Sequence, residues 1–406
     1  MKSVAEASQA ILASFTPLAE ERVSLLSALG RFASMEVCAQ YEAPAFDNSA
    51  MDGYAVRAHE VANASEAAPV RLPVRGESRA GVPCDQALEP GSAMRIFTGA
   101  ALPAGADAVV TQEDTEREGE EVLVKFAPKV GHHVRARASD LRVGSPLVPR
   151  TGLIGSGEIG LLASQDIATV RVFRRPRVAI LCTGDELREI GERMRPGSIV
   201  NSNACSLAAQ VLEAGGEPWV LPSVGDRQED VAAAITEGLK ADALVLSGGV
   251  SVGEYDVVRA ALETAQVTLE FWKVRMKPGK PVSFGRAGSM PVIGLPGNPV
   301  SSWVTFELFV RPGLRRMLGD PNPHRPRATV HLNAPWKRKP GREEYLRAYL
   351  APGPHGLVAT PFSHQGSGDM SSLTGVDALV VVKPEVAEIG PEDPLEALLL
   401  RAPGGP

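Results

Sequence analysis

Residues 242–256 read DALVLSGGVSVGEYD. Ala243 to Leu246 make an unbroken apolar run of the kind a strand shows when both its faces are covered. Ser247, Gly248 and Gly249 then end the run. Two adjacent glycines let backbone N–H groups approach an anion without interference from a Cβ. Glu254 and Asp256 follow in the same loop. Anion donors beside carboxylates make chemical sense where a divalent cation bridges a phosphate-like group to the protein.

The same pattern recurs on either side. RVAILCTGDEL (177–187), EPWVLPSVGD (217–226) and MPVIGLPGNP (290–299) are apolar runs ending in small or acidic residues. Between them lie ACSLAAQVLEAGGE (204–217), DVAAAITEGLKA (230–241) and VVRAALETA (257–265), each spaced as an amphipathic helix, and a long helix follows LPGNP. Strands alternating with helices predict a central parallel sheet in an α/β domain, covered on both faces. Ligands of such sheets bind beyond the carboxyl ends of the strands. Any one of these ends alone reads better as an ordinary strand-to-helix turn; four on one edge read as a shared ligand site.

On that edge Glu186, Asp226 and Asp256 are candidate Mg²⁺ ligands, although Asp226 before RQEDV also suits a helix N-cap. KPGKP (277–281) fixes Lys277 and Lys280 between prolines, as a phosphate clamp would. Asn298 lies between Gly297 and Pro299 just before a helix, where backbone amides can donate to an anion.

Outside this region the texture changes. Residues 3–15 space Val4, Ala7, Ile11, Leu12 and Phe15 as a short helix. From about 43 to 138, short apolar runs broken by Gly and Pro predict a β-rich domain. It contains FDNSAMDGYAVR (46–57), where Asp47, Asn48, Ser49 and Asp52 have no obvious partner nearby in sequence, and RIFTGAALPAGAD (95–107), with Thr98 at a strand end. DPNPHRP (320–326) reads as a linker before a small C-terminal domain of short strands.

At 406 residues the chain exceeds one ordinary core, and a prior of roughly 150 residues per domain gives two to four. A net charge of −6 argues against a basic nucleic-acid-binding stripe. Cys38, Cys84, Cys182 and Cys205 are widely spaced, which fits a reducing cytoplasm better than a disulfide framework. No metal-ligand spacing of His or Cys appears, the start does not read as a signal peptide, and no run of about 18 apolar residues predicts a membrane span.

Taken together, FDNSAMDGYAVR, RIFTGAALPAGADAVV, TGDEL, SGGVSVGEYD, KPGKPVSFG, GLPGNPVSS and QGSGDMSSL resemble the molybdopterin molybdenumtransferases, the MoeA-type family of molybdenum cofactor synthesis, to which the dimerising E domain of gephyrin is also similar. The resemblance covers nearly the whole chain in the family's order. It implies an elongated homodimer with four domains per chain: 1–25 plus 175–320, an α/β molybdopterin-binding domain; 26–42 plus 139–174, a linker and dimerisation domain; 43–138, β-rich; and 326–406, a C-terminal β domain. It implies a Mg²⁺-dependent insertion of molybdate into adenylylated molybdopterin with release of AMP, in the cytoplasm, at a site shared between subunits. The adenylyltransferase of the preceding step and molybdoenzyme chaperones are further candidate partners.

Residue by residue, the family's acids fall on Asp52, Glu186, Asp226 and Asp256, its threonine on Thr98, its lysines on Lys277 and Lys280, and its loop prolines on Pro296 and Pro299. Ser247, Gly248, Gly249 and Asn298 are expected to bind the pterin or phosphate end. Two departures stand out: Cys182 where the family often has serine, and RARASD (135–140) where it usually has RRRGED. Two other functions remain open, the molybdopterin adenylyltransferase and a non-catalytic dimeric scaffold. Length and the β-rich region count against the first; retention of the acids, lysines and SGG loop counts against the second.

Overall fold

A computed structural model describes residues 1–249, 255–354 and 356–401, with the backbone alone at Tyr255 and Asp256. The chain forms two compact units, one of Met1–Met35, Arg150–Gly155 and Thr169–Pro406, the other of Glu36–Pro149 and Ser156–Ala168.

In the first unit the quoted run is the strand Ala243–Ser247, buried along its length. Val245 joins Val178, Ile180 and Ile293 in one core, whereas Leu244 and Leu246 join Ala179, Leu181 and Val292 in another. Successive side chains point to opposite faces, so a strand with two covered faces must be apolar at every position. The first core is closed by Leu207 and Val211, Val300 and Val304, and Val4 and Ile11 of the N-terminal helix Val4–Ala13. Val231, Ile235, Val258 and Leu262 close the second.

The sheet has the order Glu217–Val220, Arg177–Cys182, Ala243–Ser247, Met290–Leu295, Ser283–Ala287, Thr268–Phe271. Its first four strands are parallel, as the sequence predicts. Ser283–Ala287 is antiparallel to both its neighbours, and against Met290–Leu295 the cause is local. Only two residues separate Ser283–Ala287 from Met290–Leu295, with Gly288 at φ +60°. A link that short can join antiparallel neighbours but cannot make a crossover.

The long helix after LPGNP is broken into Pro299–Thr305, a wide turn Phe306–Val310 and Arg311–Met317. Pro312 has no N–H to continue the ladder, which accounts for the interruption. Five strands, Glu343–Gly353, Gly356–Pro361, Arg327–Leu332, Leu395–Leu399 and Ala378–Val382, close on themselves as a small C-terminal barrel around Val330, Leu346, Val380 and Ala397.

The second unit is β-rich, as its broken texture predicts. Its six-stranded sheet runs Ala108–Thr111, Gly53–Val56, Ala93–Ile96, Val70–Ser78, Glu121–Val124, Thr115–Glu118. Gly53 is required by close approach: a Cβ there would lie 2.0 Å from Val110 O. Gly53→Ala is expected to destabilise by about 3 kcal/mol through overpacking against backbone that cannot retreat. A urea midpoint equal to the parent's would overturn that expectation.

Candidate functional site

At the carboxyl edge of the parallel strands lies a cavity of about 260 Å³, lined among others by Thr183, Glu186, Asn201, Asn203, Ser247, Gly248, Gly249, Pro281, Pro296, Asn298 and Pro299. The tertiary fold therefore gathers at one site seven residues that the sequence singles out. Gly248 and Gly249 have φ of +100° and +62°, and a Cβ on them would sit 2.3 Å from Thr183 O and 2.2 Å from Val258 Cγ2. Only glycine fits this corner, on both conformational and steric grounds. The Ser247 hydroxyl is buried, accepting from Asn203 Nδ2 at 2.9 Å and lying 3.4 Å from Ser302 Oγ. That hydroxyl braces the corner, while the residue itself lines the cavity.

Beside the cavity is an acidic patch. Asp226 N–H donates to Asp185 Oδ1 at 3.1 Å and Asp185 N–H to Asp226 Oδ2 at 3.4 Å. Burial raises the Asp226 carboxyl above its ordinary range, and the negative charges of Asp185 and Glu186 push it further the same way. Asp226 therefore carries a charge that its surroundings disfavour. Val250–Glu254 and the side chain of Asp256 lie outside the described residues, so the expected third acid has no described position. Among the described residues no three His, Cys, Asp or Glu side chains are placed to hold a metal ion together.

The clamp residues separate. Lys277 pairs with Glu344 at 2.7 Å, because Glu344 is 3% exposed and needs compensating charge, which Arg338 also supplies at 3.2 Å. Lys280 is exposed, next to Pro281 of the cavity wall. Asn298 is the N-cap residue of Pro299–Thr305, yet its side chain donates to Ser367 Oγ at 2.9 Å, and Val300 N–H goes to Ser367 O at 3.1 Å. That helix therefore offers fewer free amides than its position promises, and the QGSGDM loop takes them.

In the second unit Asp52 and Thr98 meet, although 46 residues separate them. Gly53–Val56 and Ala93–Ile96 are antiparallel neighbours with Gly53 opposite Ile96, so the residues just beyond that pair converge. Thr98 N–H and Oγ1–H both donate to Asp52 Oδ1, at 2.7 and 2.8 Å. These bonds, foremost the backbone one, hold the Asp52 carboxyl below its ordinary range, because they favour its charged form.

Sequence reasoning missed Thr183, Asn201 and Asn203. Thr183 was visible in TGDE but counted only as part of a turn. Its Oγ1 is buried with no hydrogen-bond partner among the described residues, a state that costs about 1–3 kcal/mol in a protein interior. Asn201 and Asn203 precede and open a helix, where asparagine is ordinary.

The chain agrees with known proteins throughout. Residues 2–165 match the model for the MoeA N-terminal region (domain I and II), residues 179–316 that for the probable molybdopterin binding domain, and residues 329–400 that for the MoeA C-terminal region (domain IV). A molybdopterin molybdenumtransferase of Nostoc sp. is 38% identical over 89% of this chain and 84% of its own length. One from Bacillus subtilis is 35% identical over 95% and 91%, and molybdopterin molybdenumtransferase 2 of Mycobacterium tuberculosis is 34% identical over 96% and 97%. The crystal structure of a molybdopterin biosynthesis MoeA protein from Pyrococcus horikosii superposes with a TM-score of 0.85, at 31% identity over 98% of this chain and 99% of that one. With every family segment in order and relatives of this identity along its length, the chain belongs to the MoeA family of molybdopterin molybdenumtransferases.

Proposed function

We propose that the protein inserts molybdenum into adenylylated molybdopterin, consuming molybdate and releasing AMP. The observation that carries this reading is the pairing, on one sheet edge, of a glycine-cornered cavity with an acidic patch whose Asp226 is held above its ordinary range. The pairing falls within the segment that matches the probable molybdopterin binding domain.

Mg²⁺ fits these residues. The patch offers hard carboxylate oxygens, and a divalent cation relieves the crowding of charge that raises Asp226. Mg²⁺ is content with one or two carboxylates and several waters, so two described acids suffice. Glu186 and Asp226, with Asp256, would hold it, and the charge it would supply there is of the sign that offsets a phosphoanhydride's. The glycine corner gives room for the phosphate end of the substrate against backbone. Lys280 can neutralise phosphate or molybdate from the rim. Lys277, tied to Glu344, positions that loop. Asp52, kept ionised by Thr98, orients substrate or water.

The reading includes a homodimer in which Asp52 and Thr98 serve the partner's cavity. In support, Leu26, Leu29, Met35, Tyr41, Phe46 and Met51 are all exposed, Leu26 at 80%. The first three belong to the first unit and the last three to the second, and exposed large apolar side chains are what association would cover. A cytoplasmic location is supported by four free cysteines and by the absence, among the described residues, of a helix long and apolar enough to cross a membrane.

Purified protein incubated with adenylylated molybdopterin, Mg²⁺ and molybdate is expected to release AMP, and only when molybdate is present. Turnover of ATP with free molybdopterin instead would establish the adenylyltransferase reading. Inertness towards both substrate pairs, with the dimer intact, would establish the scaffold.

A further inference from the structure

The cavity contains a donor that nothing above employs. Thr183 is 4% exposed, lines the cavity, and its Oγ1 meets no partner among the described residues. Its main chain is engaged on both sides, Thr183 N–H with Ser247 O at 3.0 Å and Gly184 N–H with Val224 O at 3.1 Å, so the backbone that carries the side chain is fixed in place. A Cβ on Gly249 would lie 2.8 Å from that hydroxyl and one on Gly248 3.4 Å from it. The glycine pair thus leaves the buried hydroxyl without a Cβ against it at this corner.

A second feature faces the same space. The helix Ser202–Glu213 begins at the cavity, with Asn201, Ser202 and Asn203 in its wall. Asn201 N–H is taken by Arg188 O and Ala204 N–H by Asn201 Oδ1. The Ser202 and Asn203 amides are left without an acceptor among the described residues. The positive end of a 12-residue helix attracts anionic oxygen, and a hydroxyl is a directional donor to it. Asn203 Nδ2 is spent on Ser247 Oγ and Gly297 O, which holds the first turn against the corner.

We propose that Thr183 Oγ1 and the first-turn amides of the helix Ser202–Glu213 form a subsite for a tetrahedral oxyanion, a phosphoryl group or molybdate. This assignment rests on the function proposed above and adds the residues that grip the anion. The hydroxyl donates its proton to an anionic oxygen, and the amides supply the remaining donors without a formal charge. A carboxylate-rich site gains from that arrangement, since a lysine in the same place would be drawn to the acids.

The test uses the full-length protein and two variants. Thr183→Val removes the hydroxyl at constant shape, and Thr183→Ser keeps it. Each is titrated calorimetrically with adenylylated molybdopterin in one arm and with molybdate alone in the other. Thr183→Val is expected to bind about ten- to a hundredfold more weakly in one arm, which identifies the oxyanion, with thermal stability at least equal to the parent's. Thr183→Ser is expected to bind as the parent does. Parent-like binding by Thr183→Val in both arms overturns the assignment, as does equal loss in both variants, which would reveal a packing role for the methyl group. If the parent protein binds neither probe, the proposed function itself falls and the subsite with it.

Discussion

Asp226→Asn is expected to lower molybdate-dependent AMP release by about 10²- to 10⁴-fold, the range a lost metal contribution of several kcal/mol implies. It is expected to do so without harming the fold. The Asp226 carboxyl is raised above its ordinary range by burial and by Asp185 and Glu186. For a raised group the folded chain binds the proton more tightly than the unfolded chain does. The resulting stability is present at acid pH and is lost as pH rises through the folded value. At neutral pH the ionised Asp226 is therefore a burden on the metal-free protein, and the neutral amide removes it. The variant's melting temperature without Mg²⁺ should equal or exceed the parent's at pH 7, with the difference closing below the ordinary aspartate range. Added Mg²⁺ should raise the melting temperature of the parent and leave the variant unmoved. A variant that keeps both Mg²⁺ stabilisation and turnover would falsify the metal assignment.

The second large effect concerns two inactive proteins that restore each other. Asp52→Ala removes the acceptor of both Thr98 bonds, and Asp256→Ala removes the third acid expected beside Glu186 and Asp226. Alone, each is expected to lose nearly all turnover. In the shared-site dimer proposed above, a mixed dimer places both lesions in one site and leaves the other whole. Random reassociation makes half of the dimers mixed, so about a quarter of parental activity should return. If co-expressed, reassociated chains stay inactive, each subunit builds its site from its own residues. Thr98→Ala, which keeps the stronger backbone bond to Asp52, should have a milder effect than Asp52→Ala in the same assay.

Much of this was legible in the sequence for a physical reason. A strand covered on both faces has no position free to be polar, so Ala243 to Leu246 announces its own environment. Glycines at positive φ beside backbone atoms, such as Gly248 and Gly249, admit no substitute and so mark the corner. The antiparallel edge was less legible because a two-residue turn at Gly288 carries little signal beside the strong period of its neighbours. Lys277 reads as a clamp in KPGKP, since nothing nearby reveals that buried Glu344, 67 residues later, will claim it. Asn298 likewise reads as an anion donor until the QGSGDM loop closes on it.

The sequence by itself determined the layered α/β core, the β-rich and C-terminal β regions, and the family. These depend on periodicity and on local backbone demands, which neighbouring residues express. Only the tertiary structure decided which polar groups are already satisfied. It joined Asp52 to Thr98, spent the Ser247 hydroxyl and Lys277 on the fold, crowded Asp226 with like charge and left Thr183 without a partner among the described residues. Hydrogen bonds and ion pairs are made between residues far apart in the chain, and what a side chain has left to offer a ligand depends on what those distant partners have taken.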